Sequence, residues 1–331
     1  MKKYNLAIIG LGVGEKVLIS LKNHKRINQI KIFDLNKNKL KICKKKYSVE
    51  IYSTENEIYN DKEIDIIYIA SYDNYHFAQC KKALKANKHI FVEKPAFLYE
   101  HQAKEFKSLL SKKQNIALVS NMILRKSERF KFLKEKIKKN HFGEIYYVEG
   151  DYNYGRLKKI TQEWRGKIPF YSVTLGGGLH IVDLLTWLLN MEIDEVFSYS
   201  NKITTKNTQF KYPDLISTIF KTNKKIVGKI TSNFGCVYPH FHKISIYGTK
   251  KTFENNVNSS HIYDKRGSYN SKSINIPYLV KDKGLLFNDM ISCIENNVRR
   301  KQIKNEIFNS LKVCYAIDKS IKYKKKIKIK Y

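Results

Sequence analysis

The stretch Leu6-Ala7-Ile8-Ile9-Gly10-Leu11-Gly12-Val13-Gly14-Glu15 decides the fold of this 331-residue chain. Its first four residues are apolar without alternation, which is typical of a strand buried on both faces of a sheet. A glycine-rich turn follows, and the helical pattern of residues 15–24 comes directly after it. Strand, tight turn and helix in this order predict the first unit of a parallel α/β sheet.

The same alternation of strand and helix continues through the first 120 residues. Further strands are predicted at residues 30–33, 64–70, 89–92 and 116–119, and helices at residues 36–46, 74–87 and 97–112. Because crossover connections place helices on both faces of such a sheet, repeated βαβ units of this spacing predict a doubly wound parallel sheet.

The glycine turn has the chemistry of a dinucleotide site. Gly10 and Gly12 occupy the first two places of the GxGxxG pattern, whereas the third glycine comes one residue early, at Gly14, and Glu15 stands in its place. Glycine lets the backbone approach a pyrophosphate, and the following helix N-terminus faces the anion. The alternative interpretation is a tight strand–helix turn that binds no ligand.

Asp34 strengthens the dinucleotide interpretation. It ends the second strand, 24 residues after Gly10, where a carboxylate can accept hydrogen bonds from ribose hydroxyls and repel a 2′-phosphate. We therefore predict a Rossmann domain over residues 1–121 that binds NAD, while Lys37 and Lys39 leave NADP open.

The pattern changes after residue 121 and predicts a second domain over residues 122–331. A Lys-rich helix begins near Arg125 and leads into strands predicted at residues 144–154, 194–202, 214–221, 225–234, 240–248 and 273–277. Helices are predicted at residues 179–190, 284–297 and 305–323, an exposed loop at residues 255–272 and a closing strand at residues 326–330. Strand-rich sequence of this kind predicts an α+β domain with an open, mostly antiparallel sheet.

The net charge of the chain is large, but it says little about binding partners. The formal net charge is +33, but 55 of the 63 basic residues are Lys and 8 are Arg. Arg is the usual reader of phosphates and bases, and the Lys-rich tail alternates with Ile as in an edge strand guarded by Lys. We therefore attribute the excess of Lys on the solvated surface to AT-rich codon usage. We expect no nucleic-acid partner.

Cysteine usage and hydropathy indicate the compartment. Five scattered cysteines form no CxxC pair and no disulfide framework, which favours a reducing environment. The apolar stretch near the N-terminus is short and lacks a cleavage site, and no apolar run has the length of a membrane span. The expectation is a cytoplasmic protein without a membrane partner.

Besides the glycine turn, several motifs are spread over nearly the whole chain: Ser71-Tyr72-Asp73-Asn74-Tyr75-His76, Ala86 to Pro95 with its Glu93-Lys94-Pro95 ending, Gly143-Glu144-Ile145, Trp164-Arg165, Gly176 to Asp183, and Tyr247-Gly248-Thr249-Lys250. Together these motifs resemble the Gfo/Idh/MocA family of NAD(P)-dependent oxidoreductases. The resemblance implies a homodimer or homotetramer that uses the free face of the second sheet.

The resemblance also implies a set of site residues. The cofactor-binding set is Gly10, Gly12, Val13, Gly14, Asp34, Ser71, Asn74, His76, Glu93, Lys94, Trp164 and Arg165. His180 occupies the place of the family's catalytic histidine. The family often has an Asp four residues before it, where this chain has Gly176. That departure puts the usual Lys-Asp-His set in doubt.

The chemistry of Lys94 and His180 can also be argued directly. Lys94 ends an apolar strand at the carboxyl edge of the sheet, where such folds place their ligands. A cationic nicotinamide beside it should lower its pKa, so that it can hydrogen-bond a substrate hydroxyl and assist proton transfer. His180 opens an apolar helix, whose N-terminus disfavours the imidazolium, and a neutral His180 suits a base. A capped core histidine is the alternative, and Asp183 is expected to orient its surroundings.

Two smaller groups complete the candidates. Tyr154 and Arg165 suit a sugar ring and a phosphate respectively, so we assign substrate binding to Lys94, Tyr154, Arg165 and His180. Cys236, His240 and His242 share one face of a strand, but no carboxylate joins them and we expect no metal.

The predicted function is hydride transfer between NAD(P) and a secondary alcohol or ketone of a sugar. The flanking motifs resemble members that process nucleotide-linked or phosphorylated sugars for surface polysaccharides. The alternative is a non-catalytic sensor of a dinucleotide or sugar, suggested by Glu15 and Gly176 at departures from the pattern. Retained Lys94 and His180 argue against a sensor, because a sensor needs no proton relay.

Overall fold

A computed structural model describes residues 1–280 and 282–331. The chain divides into two compact units. The first contains residues 1–121 and 282–308, and the second contains residues 122–280 and 309–331. Residues 282–308, expected in the second domain, thus belong to the first unit.

The first unit is built on a parallel sheet. Its strands are β1 (Tyr4–Ile9), β2 (Ile27–Phe33), β3 (Glu50–Ile51), β4 (Ile66–Ile69), β5 (His89–Val92) and β6 (Leu118–Ser120), in the spatial order β3-β2-β1-β4-β5-β6. Its helices are α1 (Gly14–Leu21), α2 (Lys37–Tyr47), α3 (Glu55–Asn60), α4 (His76–Lys85) and α5 (Glu100–Ser111). All pairings in this sheet are parallel. This confirms the predicted doubly wound domain, whose strand order reverses beside β1.

The second unit is built on a nine-stranded sheet. Its strands are β7 (Ile145–Asn153), β8 (Ile193–Asn201), β9 (Leu215–Thr222), β10 (Val227–Asn233), β11 (Phe241–Gly248), β12 (Thr252–Asn255), β13 (Ser260–Tyr263), β14 (Lys272–Ser273) and β15 (Ile327–Lys328), in the order β14-β13-β12-β11-β7-β10-β9-β8-β15. Among the described strands of this second sheet, β7 and β10 alone pair parallel. The mostly antiparallel sheet is therefore confirmed.

The remaining helices are α6 (Glu128–Lys138), α7 (Lys158–Thr161), α8 (Leu179–Leu189), α9 (Phe287–Glu295) and α10 (Asn297–Tyr323). Helix α8 lies closely against the sheet, because a Cβ at Gly150 of β7 would collide with the Ile181 side chain. Alternate residues of β7 are buried on this face, as the period of a strand requires. Among the described residues, no helix is long and apolar enough to cross a membrane.

Three sequence predictions need correction. Residues 255–272 are not simply a loop, since β13 pairs there with β12, and the strand predicted at 273–277 ends at Ser273. These strands are short and polar, with few inward apolar residues to reveal them. Helix α10 begins at Asn297 rather than 305, because its charged first turns hide the helical period. The predicted closing strand is confirmed, with Ile327 opposite Val196 at the sheet edge.

Candidate active site

Each glycine of the turn in the first unit has different steric surroundings. Gly10 has φ of +89°, and a Cβ there would lie 2.6 Å from the Ala70 carbonyl oxygen at the end of β4. A Cβ at Gly14 would lie 2.8 Å from Cγ2 of Ile8, so Gly14 supplies the close helix–strand packing. A Cβ at Gly12 would meet no atom of the described residues within 4 Å. The protein itself therefore does not require glycine at position 12.

Glu15 does not interfere with the turn. Its carboxylate accepts a hydrogen bond from the Tyr47 hydroxyl at 2.8 Å and lies 3.7 Å from the Lys39 ammonium. The side chain is thus directed to α2, on the flank of α1. Since Gly14 already performs the packing role of the third glycine, Glu15 is compatible with a dinucleotide site.

Asp34 ties the glycine turn to the end of β2. Its Oδ2 accepts a hydrogen bond from the Leu11 amide at 2.6 Å, and its Oδ1 accepts one from the Asn36 amide at 2.7 Å. The carboxylate is therefore held in place and only partly buried. Lys37 donates to the Ser53 carbonyl at 2.8 Å instead of lying free beside it.

The end of β4 is held by a buried histidine. His76 is 0% exposed, with Nδ1 2.8 Å from the Pro95 carbonyl oxygen and Nε2 3.2 Å from that of Ser71. Both ring nitrogens face the backbone, which makes His76 a positioning residue for this strand end. The Ser71 hydroxyl donates to Gln79 at 2.6 Å. Asn74 has an enclosed Oδ1 with no hydrogen-bond partner among the described residues.

Glu93 and Lys94 follow β5 directly. Glu93 is buried, and its Oε1 accepts hydrogen bonds from the Tyr68 hydroxyl at 2.7 Å and from Nδ2 of Asn121 at 2.8 Å. Burial and the Glu93 carboxylate together raise the pKa of Tyr68 well above its ordinary value, so the phenol remains a donor. Lys94 is partly buried and is joined to Pro95 by a cis peptide bond.

Sequence reasoning missed Tyr68 and Asn121. These residues link the ends of β4 and β6 to Glu93, which directly follows the strand between them. A signal was present, because each is a polar group in an otherwise apolar strand or directly after one. The network fixes the strand end from which Lys94 extends.

These features of the first unit fit a dinucleotide. The open space at Gly12 admits a pyrophosphate, and no described side chain caps the N-terminus of α1. Asp34 can accept hydrogen bonds from ribose hydroxyls. The enclosed Oδ1 of Asn74 is a hydrogen-bond acceptor without a partner among the described residues. The residues present therefore agree with the predicted cofactor.

The second unit contains a cluster of aromatic and imidazole rings in stacked and edge-on contact around Tyr152. We call it the Tyr152 cluster, and its members are Tyr152, Tyr154, His180, Phe234, His240 and His242. The Tyr152 ring centroid lies 5.6 Å from that of Tyr154, 6.1 Å from His180 and 5.1 Å from His242. The cluster brings the candidates Tyr154 and His180 together.

Two arginines influence the pKa of Tyr152 in the same cluster. Burial raises the pKa of Tyr152 well above its ordinary value, while the guanidinium groups of Arg165 and Arg156 act in the opposite direction. Arg165 lies in a 3₁₀ turn over residues 164–166, with its guanidinium 4.5 Å from the Trp164 ring centroid. The surroundings of Tyr152 are therefore aromatic and cationic at once.

His180 is not at a helix N-terminus, which corrects one step of the sequence argument. A π-helical turn over Thr174–Gly178 continues directly into α8. His180 thus lies beyond the first turn of the helical run, where the dipole effect has largely fallen off. The dipole argument for a neutral imidazole does not apply, and the π turn itself is a feature often found at functional sites.

Asp183 forms a buried ion pair with Arg125. Its carboxylate accepts two hydrogen bonds from Arg125, one of them from Nε at 2.7 Å, and its Oδ1 lies 3.5 Å from the Ser310 hydroxyl. This buried pair connects α8 to the segment before α6.

Cys236 makes different contacts from His240 and His242, the other two residues considered for a metal site. His240 and His242 belong to the Tyr152 cluster, whereas the Cys236 thiol lies 3.4 Å from the Gly155 amide and 3.5 Å from the Asn233 carbonyl. Across residues 1–280 and 282–331, no group of three or more His, Cys, Asp or Glu side chains is arranged to hold a metal ion.

Comparison with known proteins identifies the family to which the chain belongs. One family model, an oxidoreductase family with an NAD-binding Rossmann fold, matches residues 4–121, and a second, the GFO/IDH/MocA C-terminal domain, matches residues 130–254. The chain belongs to the GFO/IDH/MocA family of oxidoreductases. The predicted family, enzyme class and NAD cofactor are confirmed by these matches.

Individual relatives are distant. A myo-inositol 2-dehydrogenase of Thermotoga maritima is 23% identical over 280 residues, which are 79% of each chain. An oxidoreductase domain protein from Kribbella flavida superposes with a TM-score of 0.88 at 14% identity, covering 100% of both chains. Levoglucosan dehydrogenase in complex with NADH superposes with a TM-score of 0.85 at 16% identity, covering 99% of this chain and 100% of the other. The structures establish the shared fold.

Proposed function

We propose that this protein transfers hydride between NAD and a secondary hydroxyl of a polyhydroxylated ring, a sugar or a cyclitol. The observation that carries the proposal is the Tyr152 cluster, which gathers Tyr154, His180 and the influence of Arg165 in the unit that accompanies an NAD-binding domain. Aromatic faces suit the C–H face of such a ring, and imidazole suits its hydroxyl groups. The named activities of the Thermotoga relative and of levoglucosan dehydrogenase support this substrate class.

In this proposal two side chains handle the proton. His180 accepts the proton of the reacting hydroxyl, and Lys94 assists proton transfer as a hydrogen-bond donor. Bound NAD supplies the hydride acceptor. Glu93, held by Tyr68 and Asn121, fixes the strand end from which Lys94 extends. Precise placement of this kind matters because a small displacement of a catalytic group lowers the rate steeply.

We further propose that the substrate carries an anionic group, as a phosphorylated or nucleotide-linked sugar of surface polysaccharide synthesis does. Arg165 and Arg156 both act electrostatically on Tyr152. Arg156 also lies over the Tyr154 ring, 5.6 Å from its centroid. Arg is the side chain best suited to bind phosphate, since its planar donors match the oxygens in pairs.

We propose a homodimer or homotetramer that uses the free face of the second sheet. Phe197 and Ile219 are paired neighbours on that face, with Tyr199 two residues farther along β8. Ile219 and Tyr199 are exposed, although both are large and apolar. Light scattering after gel filtration should show a dimer or tetramer for the wild-type chain and a smaller species for Ile219→Lys. A wild-type monomer would contradict the proposal.

The test of the activity is reduction of NAD, followed at 340 nm. The panel contains myo-inositol, levoglucosan, free sugars, sugar phosphates and nucleotide-linked sugars. We expect turnover with at least one polyhydroxylated ring and a loss of 100-fold or more in Lys94→Ala and His180→Ala. The exposed residues Lys41 and His141 provide matched controls, because their alanine variants should retain activity.

Two results would contradict the proposed function. One is the absence of turnover with every member of the panel while NAD still binds. The other is a wild-type rate in Lys94→Ala, which would remove the proton-handling role from this residue. A preference for phosphorylated members over neutral ones tests the anionic substrate separately, and Arg165→Ala should reduce that preference.

A further inference from the structure

Tyr278 and His242 form a side-chain pair at the edge of the Tyr152 cluster. The Tyr278 hydroxyl is hydrogen-bonded to Nδ1 of His242, and its oxygen also accepts a hydrogen bond from the His242 amide at 3.2 Å. His242 is 7% exposed, and Tyr278 is half-buried. One phenol therefore contacts both the backbone and the imidazole of the same residue.

These two contacts determine which atoms carry protons. Burial raises the pKa of Tyr278, although the His242 amide and Arg129 act in the opposite direction, so the phenol keeps its proton at neutral pH. The phenol oxygen accepts from the amide, and the described residues offer the hydroxyl proton no acceptor besides Nδ1. A ring nitrogen that accepts a hydrogen bond carries no proton, so the neutral imidazole of His242 has its proton on Nε2.

Arg129 of α6 holds both members of the pair in place. Its Nη1 donates to Oδ1 of Asn255 at 2.7 Å, and Nδ2 of Asn255 donates to the His242 carbonyl at 2.8 Å. Its Nε donates at 2.9 Å to the carbonyl of Ile276, two residues before Tyr278. The Arg129 guanidinium also lies 5.7 Å from the Tyr278 ring centroid. The geometry of the pair is therefore fixed from α6 and from β12, which contains Asn255.

His242 also contacts three other rings of the Tyr152 cluster. Its ring centroid lies 5.1 Å from those of Tyr152 and His240 and 5.8 Å from that of His180. The contact with Tyr152 follows from the sheet, because the two residues are directly opposite each other in the register of β7 and β11. Since Nδ1 is directed at Tyr278, the enclosed and protonated Nε2 is the nitrogen that His242 offers to the cluster.

We propose that His242 is a hydrogen-bond donor to a substrate oxygen and that Tyr278 is the positioning residue that makes it one. This inference rests on the proposed function in so far as the oxygen belongs to a bound polyhydroxylated ring. Because Tyr278 occupies the acceptor nitrogen of His242, this imidazole does not take a proton from a substrate hydroxyl. It serves specificity instead, since a site that donates to an oxygen discriminates against a ring that lacks this oxygen.

The direct test is ¹⁵N NMR of the full chain with ring-labelled histidine, without ligand, at about pH 8, where an ordinary imidazole is neutral. The variant His242→Gln identifies the signals of His242 by their loss. We expect a protonated, pyrrole-type Nε2 and an unprotonated, pyridine-type Nδ1. Tyr278→Phe should move both signals towards a mixture of the two tautomers. Tyr269→Phe is the matched control, because Tyr269 is fully exposed, and it should leave both signals unchanged.

The second readout is kinetic and uses NAD with myo-inositol, or with the first sugar of the panel that turns over if myo-inositol does not. His242→Leu removes the donor and should lower kcat/KM about tenfold, which is the contribution of one such hydrogen bond. His242→Gln keeps an amide donor and should retain most of the wild-type value. Tyr278→Phe should lower kcat/KM about threefold, because only part of the molecules then have the donor tautomer. Thermal midpoints show whether each variant remains folded.

The proposal is overturned if wild-type His242 carries its proton on Nδ1, or if the Tyr278→Phe spectrum equals that of the wild type. Equal losses of kcat/KM in folded His242→Leu and His242→Gln also overturn it, because a donor would then make no difference. The NMR measurement needs no turnover. If no panel member reacts while NAD still binds, the proposed function fails and with it the substrate as the partner of His242, whereas the control of the tautomer by Tyr278 is still decided by NMR.

Discussion

Gly12→Ala should separate cofactor binding from folding in the first unit. The added methyl group would meet no described atom within 4 Å, and Gly12 is not among the glycines with positive φ. Replacing glycine by alanine without strain stabilises a protein by about 0.4–1 kcal/mol through the unfolded chain. We expect the free energy of unfolding without ligand to stay unchanged or to rise by up to about 1 kcal/mol.

Gly12→Ala should weaken NAD binding, although it does not lower the stability of the protein. The backbone at this position must approach the pyrophosphate closely, so the methyl group takes space that the cofactor needs. We expect the dissociation constant for NAD to rise at least tenfold, which corresponds to about 1.4 kcal/mol. Isothermal titration with NAD and chemical unfolding of the same preparation measure the two quantities.

Gly10→Ala is the matched control. It forces alanine into φ of +89° with its Cβ 2.6 Å from the Ala70 carbonyl oxygen. The left-handed conformation costs about 1–2 kcal/mol, and overpacking adds about 1–3 kcal/mol. This variant should lose stability even without ligand. Wild-type affinity for NAD in Gly12→Ala, or a loss of stability equal to that of Gly10→Ala, would refute the reasoning.

Three further variants test other parts of the structure. Asp34→Ala should raise the affinity for NADP relative to NAD about tenfold, measured as the ratio of dissociation constants, because the carboxylate repels a 2′-phosphate. Asp183→Asn should lower the free energy of unfolding by about 3–5 kcal/mol, because the Arg125 guanidinium remains buried without its countercharge. Burial raises the pKa of Asp318 to about 7. The folded state therefore holds a proton that the unfolded chain releases near pH 4, so stability should fall as pH rises from about 4 to 7, and Asp318→Asn should remove this part of the pH dependence.

The first unit was largely predictable because its signals are local. Strands buried on both faces appear as uninterrupted apolar runs, and residues 6–9 and 66–69 are of this kind. The glycine turn lies between one such strand and a helix, and Asp34 follows the next strand. The shift of the third glycine could not be interpreted from sequence. Only the contact of Gly14 with Ile8 shows that the packing role is filled one residue early.

The second unit was less predictable because its site depends on contacts between distant segments. The stacked contact of Tyr152 with His180 and its edge-on contact with His242 join three elements far apart in the chain. Alternation along β7 placed Tyr152 and Tyr154 on one face, but no local pattern could show which residues meet them. The π turn was equally hidden, since three glycines in a row indicate a break more readily than a helical turn.

The two glycine groups show why glycine alone is an ambiguous signal for a binding site. Both precede a helix and both leave the backbone bare, so a sequence cannot tell whether a ligand or the protein takes the space. At Gly12 the space is open, and at Gly176 it is taken by Tyr171. Open space next to an uncapped helix N-terminus argues for an external anion. Space filled by a protein side chain, as at Gly176, argues that the glycine serves packing within the unit and not an external ligand.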